Sequence, residues 1–175
     1  MRKSCIPNVF TFINLSCGII SILSVMNEKY ALSGAFILLA GLVDRYDGRI
    51  ARFLNVSSDL GKELDSLADL VSFGVAPSIL VYILFNLSSF GPNGLLGYVV
   101  LLLFPICGAY RLARFNTTAF DGAFTGVPIT IVGCFMALFS LIMLNLNVMP
   151  SPYLVVLLMI VGSYLMVSKL KLKKF

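Results

Sequence analysis

Asp44-Arg45-Tyr46-Asp47-Gly48-Arg49-Ile50-Ala51-Arg52 and, after eight further residues, Gly61-Lys62-Glu63-Leu64-Asp65-Ser66-Leu67-Ala68-Asp69 decide how this chain is read. Six of its eight acidic residues stand from Asp44 to Asp69 inclusive, with long apolar runs on both sides. A carboxylate beside a bilayer is costly unless it is paired or holds a cation, so such a residue marks a functional site by default.

On a helix, Asp44, Asp47, Gly48, Ala51 and Arg52 follow the one-turn and two-turn spacing and share a face. That face offers two acids, two very small residues and a guanidinium. Small residues let a ligand lie against the backbone, and arginine can pair with phosphate oxygens. Gly61, Asp65 and Asp69 form a second stripe at four-residue spacing. Two consecutive helices joined by a short turn run antiparallel, so the two acidic faces can converge. Four carboxylates without histidine or cysteine are hard oxygen ligands. They suit Mg2+, Mn2+ or Ca2+ rather than zinc. A cation there would neutralise a diphosphate, and one acid could act as base for an incoming hydroxyl. Asp59 and Glu63 fall off the stripe and read as solvated charges that can pair with Lys62 or Arg52.

The composition sets the surroundings. The chain has 175 residues, of which 59% are hydrophobic and 12% charged, and its mean hydropathy is +0.97. That is a membrane protein. A formal charge of +5 could suggest a nucleic-acid partner, but the basic residues are scattered among apolar runs and gathered in a short tail. No basic face could track a phosphate backbone. Cys5, Cys17, Cys107 and Cys134 are far apart and the chain has no histidine, so a zinc site or a Cys–His nucleophile is not expected.

A membrane-crossing helix needs about 20 mostly apolar residues. Six segments qualify: Val9–Val25, Tyr30–Val43, Leu67–Phe85, Leu95–Ala113, Val127–Leu146 and Tyr153–Val167. The second reaches spanning length only if its helix runs on into the acidic motif. The fold is therefore expected to be all-α and integral to the membrane. The motif lies on cytoplasmic extensions of the second and third helices, and 1–175 forms one domain. The Met-Arg-Lys start resembles a secretory leader but reads as a retained first helix. With the N-terminus inside, twelve of thirteen basic residues fall on the inner side and only Lys29 outside. Both termini and the motif are thus expected in the cytoplasm of a cell-membrane protein. The Lys-rich tail from Lys169 holds the last helix at an anionic leaflet.

The gapless pattern Asp44-x2-Asp47-Gly48-x2-Ala51-Arg52-x8-Gly61-x3-Asp65-x3-Asp69 resembles the signature of the CDP-alcohol phosphatidyltransferase family. The resemblance implies an enzyme, usually a homodimer among membrane lipids, that replaces the CMP of a CDP-linked lipid with an alcohol. It implies one or two divalent cations (Mg2+ or Mn2+, or Ca2+) on Asp44, Asp47, Asp65 and Asp69, with Asp69 also the base. Gly48, Ala51, Arg52 and Gly61 would line the cytidine-diphosphate site, and Ser58 in the turn would contact the nucleotide. Ile6-Pro7-Asn8-x-x-Thr11 is similar to the family's helix start, which implies Asn8 and Thr11 at the nucleotide pocket. A plain helix start with capping residues reads equally well there.

The acceptor is read from a second polar island. Arg111-Leu112-Ala113-Arg114-Phe115-Asn116, followed by Phe124-Thr125-Gly126-Val127-Pro128, resembles the phosphatidylserine synthase branch of the family, with Val127 where leucine is usual. This implies CDP-diacylglycerol, or an archaeal CDP-ether lipid, and L-serine as substrates. Arg111 or Arg114 would grip the serine carboxylate or bind the lipid phosphate; a helix-end arginine can also simply reach for the interface. Glycerol 3-phosphate or inositol phosphate as acceptor would call for a richer basic pocket. A cation transporter would call for acids on several spans, and the first, fourth, fifth and sixth have none.

Overall fold

The computed structural model describes the backbone over residues 5–54, 59–117, 124–169 and 171–172, and side chains over 8–46, 59–117 and 126–169. The helices are α1 (Cys5–Met26), α2 (Tyr30–Leu54), α3 (Asp59–Asp69), α4 (Ala76–Leu84), α5 (Leu95–Thr117), α6 (Ile129–Asn145) and α7 (Pro152–Val167). A π-helical segment, Leu70–Val75, joins α3 to α4, so the three pieces form one rod, Asp59–Leu84. The architecture is all-α, as expected. One small addition is an antiparallel pair of two-residue strands, Phe124–Thr125 with Lys171–Leu172.

The expected spans sit on these rods. α2 does run on through the acidic motif to Leu54, eleven residues beyond Val43. The third rod starts at Asp59 rather than Leu67, and α5 runs four residues past Ala113 to Thr117. Both extensions are polar and project the site residues beyond the apolar stretches. By length and composition, Asn8–Met26, Asp59–Leu84 and Pro92–Thr117 can each cross a membrane, and Ile129–Asn145 and Pro152–Val167 are shorter apolar helices. Phe12, Ile13 and Ile19 on α1 and Leu102, Leu103 and Ile106 on α5 lie exposed. In water that surface would be costly; against lipid tails it is matched. The protein is membrane-embedded.

Turns fall where asparagines stand. Asn86, Asn93 and Asn147 adopt left-handed backbone, with φ of 49°, 51° and 53°, a conformation asparagine tolerates better than most residues. Asn27 closes α1 by donating its amide to the Leu23 carbonyl at 2.8 Å.

Pro77 accounts for the π segment. Proline has no N–H, and its ring would press on the carbonyl four residues back, that of Phe73. The Ala76 N–H instead reaches the Val71 carbonyl, five residues back. This widened turn carries the rod past Pro77 without breaking it. The segment sits at the centre of the bundle, packed by α1, α5 and α6, and Phe73 is fully buried. Two glycines permit the close approach. A β-carbon on Gly18 of α1 would lie 2.5 Å from Ser72 Oγ and 2.9 Å from its Cα, and one on Gly133 of α6 would meet the Phe73 carbonyl oxygen. Between membrane helices, small residues that bring backbones together supply much of the packing.

Gly133→Val should therefore force α6 off the π segment, an overpacking penalty of roughly 1–3 kcal/mol. Its thermal unfolding midpoint in detergent should drop clearly, whereas Ala35→Val on the exposed face of α2 should leave the midpoint in place. Equal midpoints for the two variants would refute the tight crossing.

Candidate functional site

Asp44 arrives on α2; Asp65 and Asp69 arrive on α3, one turn apart. Carboxylate oxygens of the three lie within 4.8 Å of one another. Asp44 and Asp65 are half-buried, while Asp69 is 8% exposed. The convergence expected from the spacing is thus present for three of the four aspartates. The fourth, Asp47, sits with Gly48, Ala51 and Arg52 on the part of α2 whose backbone is helical. Their side chains lie outside the described residues, as does Ser58 altogether. Gly61 is half-buried one turn before Asp65.

Three like charges this close need a counterion or fixed dipoles. Oxygen-only donors so clustered fit a hard divalent cation, Mg2+ or Mn2+ in kind, and nothing in the cluster favours a soft metal.

The protein supplies its own restraint on Asp69. The Asn14 side-chain amide donates to Asp69 Oδ1 at 3.0 Å. The Ser72 hydroxyl in turn donates to the Asn14 backbone carbonyl at 2.9 Å. Ser72 can reach that carbonyl because Gly18, one turn further along α1, leaves it space. Gly18, Asn14, Ser72 and Asp69 form one connected support across α1 and the π segment. Asn14, Gly18 and Ser72 stand outside every motif that the sequence singles out. A signal existed: Asn14 is an amide deep in an otherwise apolar helix, and a polar group there asks for a partner. Thr11, one turn before Asn14, is 3% exposed, and Asn8 is half-buried. The helix start thus faces the bundle through the residues singled out from the sequence.

The two arginines of the second polar island go separate ways. Arg111 is 8% exposed, packs its guanidinium over the Phe115 ring at 5.9 Å, and keeps its Nε without a hydrogen-bond partner. It is close enough to Asp69 for their charges to interact. Arg114 points to the end of α7 instead. Its Nη1 donates to the Val167 carbonyl at 2.9 Å and its Nη2 to the Ser168 carbonyl at 3.4 Å, with Tyr110 beneath it at 5.9 Å. A cation on the last carbonyls of a helix satisfies otherwise unpaired acceptors. Gly126, with φ of 81°, lets the chain pass under that end, where a β-carbon would sit 3.2 Å from Arg114 Nη2. The Val127 N–H donates to the Leu165 carbonyl at 3.1 Å. The Phe-x-Gly-Val-Pro segment and Arg114 therefore dock α7.

Asn116 ties the end of α5 to α3. Its amide donates to Ser66 Oγ at 3.0 Å and to Glu63 Oε1 at 3.2 Å. Glu63, expected to pair with Lys62 or Arg52, thus has an amide partner. Lys62 pairs with Asp59 at 3.5 Å on the exposed side, as the off-stripe reading allowed.

Comparison with known proteins agrees with this geometry. The model of the CDP-alcohol phosphatidyltransferase family matches residues 4–168. The chain is 37% identical to the CDP-diacylglycerol–serine O-phosphatidyltransferase of Bacillus subtilis (strain 168), over 97% of this chain and 90% of that protein. It is 39% identical to the enzyme of the same name from Helicobacter pylori (strain J99), over 70% of this chain and 52% of that protein. With the one from Saccharomyces cerevisiae (strain S288c) the identity is 40%, over 67% of this chain and 43% of that protein. The chain thus spans nearly all of the first relative and about half of the other two. By the matched length and the aspartates it brings together, the chain belongs to the CDP-alcohol phosphatidyltransferase family.

Proposed function

We propose that this protein transfers the phosphatidyl group of CDP-diacylglycerol, or the archaetidyl group of an ether-linked equivalent, to the hydroxyl of L-serine, releasing CMP. The observation that carries the reading is the buried Asp69, clustered with Asp44 and Asp65 and sharing its surroundings with the cationic Arg111. The names of the relatives support serine as the acceptor.

Asp44, Asp65 and Asp69, joined by Asp47, would hold one or two divalent cations, which supply charge neutralisation at the diphosphate. Asp69 takes the proton of the serine hydroxyl. The serine oxygen forms a bond to the lipid-side phosphorus, the bond from that phosphorus to the CMP oxygen breaks, and CMP leaves with the electron pair. Asn14 holds Asp69 Oδ1 and so leaves Oδ2 for the proton. The fixed carboxylate needs no reorganisation when the hydroxyl arrives. Gly48, Ala51, Arg52, Ser58 and Gly61, with Asn8 and Thr11, would form the nucleotide side.

Of the two arginines we assign Arg111 to the serine carboxylate. It is buried near Asp69 with a donor to spare, whereas Arg114 is committed to α7. We further infer six membrane crossings in one domain, a cell-membrane location with termini and site on the cytoplasmic face, and a homodimer. The distribution of Lys and Arg supports the orientation.

Chelation should abolish CMP release from CDP-lipid and serine in detergent, and Mg2+ or Mn2+ should restore it; full turnover in excess EDTA would remove the metal from the scheme. Asp69→Asn should lower kcat by about two orders of magnitude or more, with CDP-lipid binding less affected.

Arg111→Lys should raise the KM for serine far more than that for CDP-lipid, because lysine keeps the charge but loses the planar fork. Arg114→Ala should leave the serine KM near its starting value and instead lower stability by roughly 1–3 kcal/mol, the loss of charged hydrogen bonds to α7. The opposite assignment of effects would exchange the two roles, and release of CMP with glycerol 3-phosphate but not with serine would overturn the acceptor.

A further inference from the structure

We propose that Asn14 binds the amino group of the acceptor alcohol through its side-chain Oδ1. This rests on the serine reading above and extends it to a residue outside the acidic motif and the arginine island.

Asn14 is 1% exposed. Its amide nitrogen is used on Asp69, and this fixes which end of the amide points where. With Asp69 ionised, as its role as base requires, it only accepts hydrogen bonds, so the NH2 faces Asp69 and the oxygen faces away from it. That oxygen has no hydrogen-bond partner. A buried acceptor left unpaired destabilises the fold, and native proteins keep few of them; an orphan of this kind asks for a ligand. The backbone of Asn14 is pinned by Ser72, and Gly18 keeps α1 close against Ser72. The amide cannot turn to another partner without giving up its bond to Asp69.

A second orphan complements it. Arg111 Nε is also buried without a partner, and it belongs to a cation whose charge reaches Asp69. The site therefore offers an unused acceptor on α1 and an unused donor on α5, both associated with the one carboxylate on α3. A hydroxy amino acid presents the matching set. Its ammonium donates, its carboxylate accepts, and its hydroxyl gives up a proton. With the ammonium on Asn14 Oδ1 and the carboxylate on Arg111, the hydroxyl is directed at Asp69. The amine is then recognised by a neutral dipole. An acid at position 14 would add a further negative charge to a cluster already holding three.

The test is a substrate-deletion comparison on the purified full chain in detergent, with CDP-diacylglycerol and Mg2+ or Mn2+, scored as CMP release. The acceptors are L-serine and 3-hydroxypropionate, which is serine without its amine. In the wild type, kcat/KM for serine should exceed that for 3-hydroxypropionate by at least roughly ten-fold. Asn14→Leu should slow both reactions through Asp69, but the ratio should collapse towards one. If Asn14 only positions Asp69, both acceptors lose equally; an unchanged ratio overturns the proposal. A raised KM for CDP-lipid with the ratio intact overturns it as well, placing the amide oxygen on the nucleotide. Where Asn14→Leu turns over too slowly to assay, thermal stabilisation replaces kinetics. The variant should keep the rise in unfolding midpoint given by CMP and lose the rise given by serine, and a retained serine rise overturns the proposal. Absence of CMP release from the wild type with serine would sink the serine reading and this proposal with it. Serine turnover with an unchanged ratio sinks this proposal alone.

Discussion

Three carboxylates are brought together at a bundle whose buried residues are mostly apolar, and the rest of the structure answers to that constraint. Without a bound cation, Asp44, Asp65 and Asp69 repel one another, and burial of Asp69 strengthens the repulsion by lowering the local dielectric. Helices held only by apolar contacts could relieve it by sliding or rotating. The structure blocks this with backbone-level contacts: Ser72 on the Asn14 carbonyl, Gly18 under Ser72, and Gly133 against the Phe73 carbonyl. Their points of contact on the third rod, Ser72 and Phe73, lie directly after Asp69 along the chain. The rigid part of the bundle and the chemical part are thus the same few turns of helix.

Much of this was legible in the sequence, for a physical reason. Membrane helices have a fixed minimum length and a narrow composition, so rods show as apolar runs and their polar extensions as interruptions. The extension of α2 through Asp44 followed from Val43 being too early an end. The pairing of Asp44 with Asp65 and Asp69 followed from helical spacing on antiparallel neighbours. The π segment was not legible, because Pro77 alone signals a kink, a break or a widened turn with equal force. Asn14 was overlooked because one amide in an apolar helix has no periodic partner; its partner lies 55 positions away on another helix. The two arginines looked equivalent because position at a helix end does not say which neighbour a long side chain will meet.

The separation of Arg111 from Arg114 also bears on how the polar end of α5 is built. Position 114 secures the end of α7, and position 111, three residues earlier, is buried with its guanidinium over Phe115 and its charge within reach of Asp69. The same helix turn thus joins the surroundings of Asp69 to the docking of the last helix. Asn116 extends this by clipping α5 to α3 through Ser66 and Glu63. α5 is held at its polar end from two sides, which fixes where the buried guanidinium can go.

The widened turn at Leu70–Val75 has a consequence for chain length. In an α-helix each residue advances the rotation by about 100°. Removing a single residue from the π segment would turn it into ordinary α-helix and rotate everything before it by about that angle relative to α4. Asp65 and Asp69 would then face lipid or a neighbouring helix instead of Asp44, although every side chain of the motif was still present. Insertions and deletions between Asp69 and Pro77 are therefore barred more strictly than most substitutions there, and the spacing from the second carboxylate stripe to that proline is as much a part of the candidate site as the aspartates themselves.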